Sequence, residues 1–383
     1  TIQSNNSTIT FDVGDDVDIQ TGSSVTASQT VMINADPSTS DADAFGTTIT
    51  IAGSVSGSWV EVNGGDDADT INLQRIAAVT IVNAADGNDT ISISSDAPAN
   101  TGILDNIAAV LTVNGDAGTD VLNISDAGDA SGDTTGILTG TQLSGLGAAV
   151  ITYGTVETLN IDLGSGDDTF AVQSTNAATT TTVNGNHGDD IFNVGNTFGS
   201  LDDILGTLTI NGNAPSASDT LNINDQGDRD DNTYTLSSTT INRSGMAQIS
   251  YGTIEDLNLN AGLGDDTIII GNTHAGSTTV NANNGNDLIT VQTTGGTTIV
   301  NGQANDDQLI VQTTGAGQIT IVNGNAGQDS FIVQATGLGS TTTLNGGADA
   351  DSFQVQTIAG GTTINAGAGN DTIDVSSDAP ANL

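Results

Sequence analysis

Aspartate recurs in this chain at a spacing that suits the binding of hard cations. Asp69, Asp89, Asp120, Asp168, Asp190, Asp266, Asp287, Asp307, Asp329, Asp351 and Asp371 each stand six residues after an Asn or Asp. Those Asx residues are Asn63, Asn83, Asn114, Asp162, Asn184, Asn260, Asn281, Asn301, Asn323, Asn345 and Asn365, and a twelfth copy from Asn211 carries two extra residues. Four residues after the Asx, eight of the twelve copies carry Gly, and three of the others carry Asp67, Asn305 and Asp349. These residue types tolerate positive φ, so the spacing predicts a turn with a left-handed position there. Such a turn points carbonyl oxygens towards one spot, and the Asp two residues later adds a carboxylate. Stacked at about 4.8 Å, turns of this kind form an oxygen cage of the sort Ca2+ takes. The bland alternative is a row of solvated turn residues capping strands. Like charges a few ångström apart argue against it, because they repel unless a cation lies between them.

The elements that position these aspartates follow from the period. Most copies begin 20–22 residues apart, the length of one coil of a β-solenoid. Gaps of 48 and 49 residues read as two coils with one degenerate turn. One strand ends at the Asx, as in Thr298-Ile-Val-Asn301 and Thr320-Ile-Val-Asn323. A second follows the Asp, as in Thr70-Ile-Asn-Leu73 and Leu288-Ile-Thr-Val291. Period-two alternation turns Ile71, Leu73 and Ile289 inward and Thr70, Asn72 and Thr290 outward. β-branched residues dominate and no amphipathic helix is evident. The expected fold is all-β, a parallel β-solenoid of about 20–22-residue coils.

Above the coil sits a longer repeat. Leu111-Thr-Val-Asn-Gly115 returns as Leu208-Thr-Ile-Asn-Gly212, and Tyr153-Gly-Thr-Val-Glu157 returns as Tyr251-Gly-Thr-Ile-Glu255. The organisation expected is irregular coils over 1–60, solenoid coils over 61–110, repeat blocks over 111–207 and 208–304, and regular coils over 305–383. The stretch from Asn34 to Ala44 reads as an acidic loop. The phrase Ser94-Ser-Asp-Ala-Pro-Ala-Asn100 recurs at Ser376 to Asn382. With no Met before Thr1, this points to a segment of a longer chain, or to a subunit that self-associates end to end.

Composition narrows the function. The chain has 46 acidic and 3 basic residues, a formal charge of −43. Nucleic acid is excluded as a partner, because it needs a basic footprint. No apolar run reaches about 18 residues, so no membrane span is expected. Cysteine is absent, which leaves the redox compartment unread. Three dispersed Arg and two His cannot line a polysaccharide-cleaving groove, and each Asp pair is explained by the turn repeat, so no enzyme is expected.

The phrases Gly164-Ser-Gly166-Asp-Asp168-Thr-Phe170, Gly262-Leu-Gly264-Asp-Asp266-Thr-Ile268 and Gly367-Ala-Gly369-Asn-Asp371-Thr-Ile373 resemble the calcium-binding nonapeptide of the RTX (repeats-in-toxin) family. The resemblance covers the turns of roughly residues 63–375. It implies secreted proteins in which Ca2+ sits between coils, held by the motif Asp and turn carbonyls. The family pattern places calcium on both edges of an 18-residue coil. Here the opposite turns, such as Thr293-Thr-Gly-Gly296 and Thr313-Thr-Gly-Ala-Gly317, lack carboxylates, so multiple calcium sites are expected along one edge only. Copies with Ala85 or Gln303 at the second position, and the Asn211–Asp219 turn, are the ones expected to stay empty.

Further rows carry structural expectations. The Asx column reads as a ladder of hydrogen-bonded amides between coils. Thr runs, and the row Gln292, Gln312, Gln334 and Gln356, read as outward stacking ladders. Asp126, Asp129 and Asp133 align with Asp225, Asp228 and Asp231 and form either a second calcium site or an acidic loop. The functional expectation is an extracellular, cell-surface structural protein, a calcium-stiffened rod, filament, sheath or surface layer. The alternative is an adhesin segment recognising ice or carbohydrate through a flat outward face.

Overall fold

The computed structural model describes residues 1–35, 46–213 and 218–375, and no described residue is helical. The chain is all-β and forms the expected parallel β-solenoid. It divides into two compact units, Thr1–Asp190 with Leu205–Ala217, and Ile191–Ile204 with Ser218–Leu383.

Each unit carries two long parallel ladders, and the first adds a short parallel one of Ile2–Ser4, Ser24–Ala27 and Ser54–Ser56. In the first unit one sheet stacks Ile9–Val13, Thr30–Ala35, Trp59–Asn63, Thr80–Asn83, Leu111–Asn114 and Ile151–Gly154. The other stacks Val17–Ile19, Thr48–Ile51, Thr70–Leu73, Thr90–Ile93, Val121–Ser125, Thr158–Asp162, Thr180–Asn184 and Leu208–Asn211. In the second unit one sheet runs from Ile191–Val194 through Asp256–Asn260 and Ile319–Ala326 to Gly361–Gly367. The other runs from Thr233–Leu236 through Thr267–Ile270 and Leu288–Val291 to Thr372–Val375.

The alternation works as read. Ile289 and Val291 are buried while Leu288 and Thr290 are half-buried. In-register stacking sets like on like: the rings of Phe331 and Phe353 stack with centroids 4.6 Å apart. Asn72, expected to face water, is buried as well, and its Nδ2 donates to Thr50 Oγ1 at 3.2 Å.

The Asn ladder is present. Asn301 donates to Asn281 at 2.7 Å, Asn323 to Asn301 at 2.6 Å and Asn345 to Asn323 at 2.6 Å. The first unit builds the same ladder from Asn34, Asn63, Asn83 and Asn114. Asn323→Ala removes a rung and strands a donor and an acceptor that are only half-buried. The expected loss is about 1 kcal/mol in urea denaturation. An unchanged midpoint would mean that water replaces the rung.

The long gaps are not two coils. Between Asn114 and Asp162 the chain lays Gly136–Thr139, Gln142–Ser144 and Ile151–Gly154 side by side as an antiparallel meander in one sheet. The second unit repeats this with Thr233–Leu236, Thr240–Arg243 and Ile249–Gly252. Each long gap therefore advances the chain by one and a half coils. The strand Thr158–Asp162 consequently has an acidic turn at both ends, Glu157 before it and Asp162 to Asp168 after it. Turns from Asn63, Asn83 and Asn114 pass from the first sheet to the second, whereas the turn from Asp162 passes back from the second to the first. The expectation of one acidic edge is thus corrected: the half-coil shift moves the acidic turns to the opposite edge.

Candidate cation-binding turns

Every motif Asp opens a strand, and its carboxylate reaches back to the coil before. The Oδ1 atoms of Asp89, Asp287, Asp307, Asp329, Asp351 and Asp371 accept the backbone N–H of Asp69, Asp266, Asp287, Asp307, Asp329 and Asp351 at 2.7–3.0 Å. Asp120 accepts from Asp89 at 2.8 Å and Asp190 from Asp168 at 2.9 Å. Asp69 accepts from Thr47, Asp168 from Asp133 and Asp266 from Asn232. All of these aspartates are at most 2 % exposed except Asp371, which is half-buried.

Sequence reasoning missed two members. Glu157 Oε2 accepts the Asp120 N–H at 2.7 Å, and Glu255 Oε2 accepts the Asp219 N–H at 3.0 Å. Their turns are shorter, and the extra methylene of Glu makes up the reach. The recurring Tyr-Gly-Thr-x-Glu phrase was the signal.

The second carboxylate oxygen sorts the turns into two kinds. In the copies from Asn63, Asp162 and Asn260, Oδ2 accepts a backbone N–H, from Gly65 at 2.6 Å, Gly164 at 3.1 Å and Gly262 at 3.1 Å. In the copies from Asn83, Asn114, Asn281, Asn301, Asn323 and Asn345, the Oδ2 of Asp89, Asp120, Asp287, Asp307, Asp329 and Asp351 is buried without a hydrogen-bond partner. The backbone divides the same way. Two residues after the Asx, the second group has positive φ: Ala85 81°, Asp116 68°, Asn283 76°, Gln303 80°, Asn325 76° and Gly347 120°. This is a second left-handed position, beyond the one expected, and it withdraws the N–H that would serve Oδ2. Holding Ala or Gln there costs about 1 kcal/mol. The fourth position is also left-handed in these six copies, as expected, whereas Asp67, Gly166 and Gly264 in the first group are not, which corrects the expectation there.

Oxygen closes around the bare Oδ2. A Cβ placed on Gly302 would lie 2.2 Å from Asp307 Oδ2 and 3.1 Å from the carbonyl oxygen of Gly324. A Cβ on Gly324 would lie 2.1 Å from Asp329 Oδ2 and 2.9 Å from the Gly346 carbonyl oxygen. Gly115, Gly302, Gly324 and Gly346 thus leave a gap that a carboxylate and the next coil's carbonyl share, whereas Ala84 and Ala282 place a methyl group there. Burial, reinforced by neighbouring charges, pushes Asp307 up to about 8 and Asp89 and Asp287 up to about 7. It pushes Asp266 and Asp329 up to about 6, and raises Asp120, Asp168 and Asp351.

The motif and the geometry rank the copies differently. Asp168 and Asp266, in phrases closest to the nonapeptide, have both oxygens hydrogen-bonded, whereas Asp89 and Asp307, beside Ala85 and Gln303, have one bare. Residues 214–217 of the Asn211–Asp219 turn lie outside the described residues, as do 36–45 of the acidic loop and the phrase Ser376 to Asn382.

The other edge of the second unit does the same capping without charge. Thr273, Thr294 and Thr314 accept the N–H of Gly295, Gly315 and Gly337 one coil on, each at 2.9 Å. A hydroxyl therefore suffices to tie coil to coil. The second carboxylate oxygen on the acidic turns is not needed for capping, and an all-oxygen surrounding fits a hard cation.

Comparison with protein-family models, with curated proteins and with solved structures returns no match.

Proposed function

We propose that the chain is a structural β-solenoid of the extracellular surface, stiffened by Ca2+ bound between successive turns. The observation that carries this reading is the bare, buried Oδ2 of Asp89, Asp120, Asp287, Asp307, Asp329 and Asp351. A buried charged oxygen without a donor is unfavourable by about 1–3 kcal/mol or more, and such groups recur in successive coils. These six carboxylates, with turn carbonyls such as those of Gly324 and Gly346, would hold the ions. Bound Ca2+ would neutralise the column and join each coil to the next. The reading places the chain outside the cell, where millimolar calcium fills low-affinity modules. Self-association end to end into a filament, sheath or layer belongs to the same proposal.

The test counts ions. Metal-stripped protein returned to millimolar calcium should bind more than one ion per chain. Asp307→Asn with Asp329→Asn keeps the Oδ1 acceptors and removes two charges, and the count should fall. Asp168→Asn, whose Oδ2 already has an N–H partner, should leave the count unchanged. Equal counts in all three proteins would remove these turns from calcium binding.

A further inference from the structure

The duplicated blocks build one acidic cluster twice, and only one copy carries its own counter-charge. In the second unit Arg243 is 5 % exposed, and its guanidinium pairs with Asp225 at 2.8 Å, with Asp228 at 2.7 Å and with Asp202. Tyr234, fully buried, donates its hydroxyl to Asp225 Oδ2 at 2.6 Å. One guanidinium thus holds three carboxylates together.

The first unit repeats the scaffold bond for bond. Leu104 N–H donates to Asp126 Oδ1 at 2.7 Å, as Leu201 N–H does to Asp225 Oδ1 at 2.9 Å. Asp129 N–H returns to the Asp126 carbonyl at 2.8 Å, as Asp228 N–H does to that of Asp225 at 2.9 Å. Asp133 N–H donates to Asp168 Oδ1 at 2.6 Å, as Asn232 N–H does to Asp266 Oδ1 at 2.8 Å. Asp133 therefore corresponds to Asn232, and the alignment with Asp231 is corrected by one residue. Asp105 follows Leu104 as Asp202 follows Leu201.

The counter-charge is missing from this copy. Strand register pairs Gly136 with Phe170 as it pairs Tyr234 with Ile268, and Leu143 with Ile151 as it pairs Ile241 with Ile249. Glycines 136 and 145 thus stand where the twin has Tyr234 and Arg243. Gly145 has φ +85°, and a Cβ there would lie 2.0 Å from the Thr135 carbonyl oxygen, so no side chain takes the place of Arg243. The first unit keeps three of the twin's carboxylates, adds a fourth in place of an amide, and loses both the guanidinium and the phenol.

What remains is a gathering of oxygens. Asp126, Asp129 and Asp133 each present a carboxylate oxygen, all within 4.8 Å of one another. Asp126 is 1 % exposed, and the Oδ2 atoms of Asp126 and Asp133 are buried and receive no N–H or hydroxyl donor, the two carboxyls lying within hydrogen-bonding reach of each other. Burial holds the Asp126 carboxyl well above the usual carboxylate range, and the charges of Asp133, Asp129 and Asp105 add to this.

We propose that Asp126, Asp129 and Asp133, with Asp105 adding charge from the rim, bind one Ca2+ ion in the place that the Arg243 guanidinium fills in the duplicate block. An oxygen-only set of carboxylates selects a hard cation over zinc or copper, which take nitrogen and sulfur. The site does not depend on the turn column, because its evidence is the substitution of a built-in cation within the same scaffold.

Amide hydrogen exchange on the full chain, with Ca2+ as the only added ligand, tests this. In the wild type calcium should slow exchange at Leu104 and across 126–133 by on the order of tenfold at ten times the dissociation constant. Leu201, whose acceptor Asp225 is already paired, should slow less. Asp133→Asn, which installs the twin's own residue, and Asp126→Asn, which keeps the Oδ1 acceptor, should each abolish the response at Leu104. Slowing at Asp307 and Asp329 should persist in both variants. A Leu104 amide indifferent to calcium overturns the proposal, and so does a response that survives both variants. A gain in protection at Leu104 on acidification, once the intrinsic slowing of exchange at lower pH is divided out, with none from calcium at neutral pH, would assign the cluster to a shared proton, and also overturns it. The turns at Asp307 and Asp329 are read in the same experiment, so failure of either reading shows without the other.

Discussion

Stripped of metal, this protein is expected to grow more stable as pH falls from 8 to 5, the reverse of ordinary acid denaturation. The sign follows from the turn aspartates. Burial raises Asp307 to about 8, Asp89 and Asp287 to about 7, and Asp266 and Asp329 to about 6, from an ordinary value of 3.8. Between pH 4 and 8 the folded chain therefore holds protons that the unfolded chain has released. The stabilising contribution of each protonated group is fully present below its unfolded value, and is lost as pH rises through its folded value. Asp96 and Asp129, whose carboxyls hydrogen bonds hold below the ordinary range, act in the opposite sense only at lower pH. Calcium should raise the melting temperature most at pH 8, where the column is ionised, and least at pH 5, where protons compete for the same oxygens. Circular dichroism melts across this range, in metal-free buffer and in millimolar calcium, give the answer. A metal-free melting temperature that climbs with pH would show that the turn carboxylates are already satisfied.

Arg243→Met should be among the most damaging single substitutions in the chain. The thioether keeps most of the volume of the stem and removes the charge. Asp225, fully buried, then keeps only the Leu201 N–H and the Tyr234 hydroxyl. Asp228 keeps the Asp230 N–H and the Asn232 amide. Breaking a buried pair from one side leaves an uncompensated charge and costs about 3–5 kcal/mol. Asp202→Asn makes the contrast, since that carboxylate is 64 % exposed and its loss should cost under about 1 kcal/mol. Urea denaturation in chelator measures both. Added calcium should restore part of the Met variant's loss, because three carboxylates would again face an unfilled place. A Met variant as stable as the parent would mean that Asp225 takes up a proton instead.

Much of this was legible in the sequence, for physical reasons. Period-two alternation of β-branched residues marks which side chain enters a thin core, so the burial of Ile289 and Val291 could be read directly. The Asn column was legible because one residue type at one position in every coil has a single stacking partner, itself. The meander was not legible: a strand's alternation is the same whether its neighbour runs parallel or antiparallel. Glu157 was hidden because the shorter turn changes the spacing while the longer side chain restores the contact. The left-handed φ at Ala85 and Gln303 was hidden because neither residue type favours it, and the conformation is imposed by the coils above and below. Arg243 was hidden because its three partners are separated in sequence and meet only through the meander.

The ladders have a consequence for how such a chain can change length. Asn301 meets Asn281 through the same pair of atoms by which Asn323 meets Asn301, and Asp307 meets Asp287 as Asp329 meets Asp307. The top of such a coil is therefore the mating surface for the bottom of another in the same phase, in hydrogen bonds and in side-chain register alike. Copying a stretch of coding sequence that spans whole coils creates no new junction to be solved. The two blocks with their meanders show that even a copied length that is not a whole number of coils can be absorbed, at the expense of moving the acidic turns across to the other edge. Growth by tandem copying is built into the geometry of a single rung.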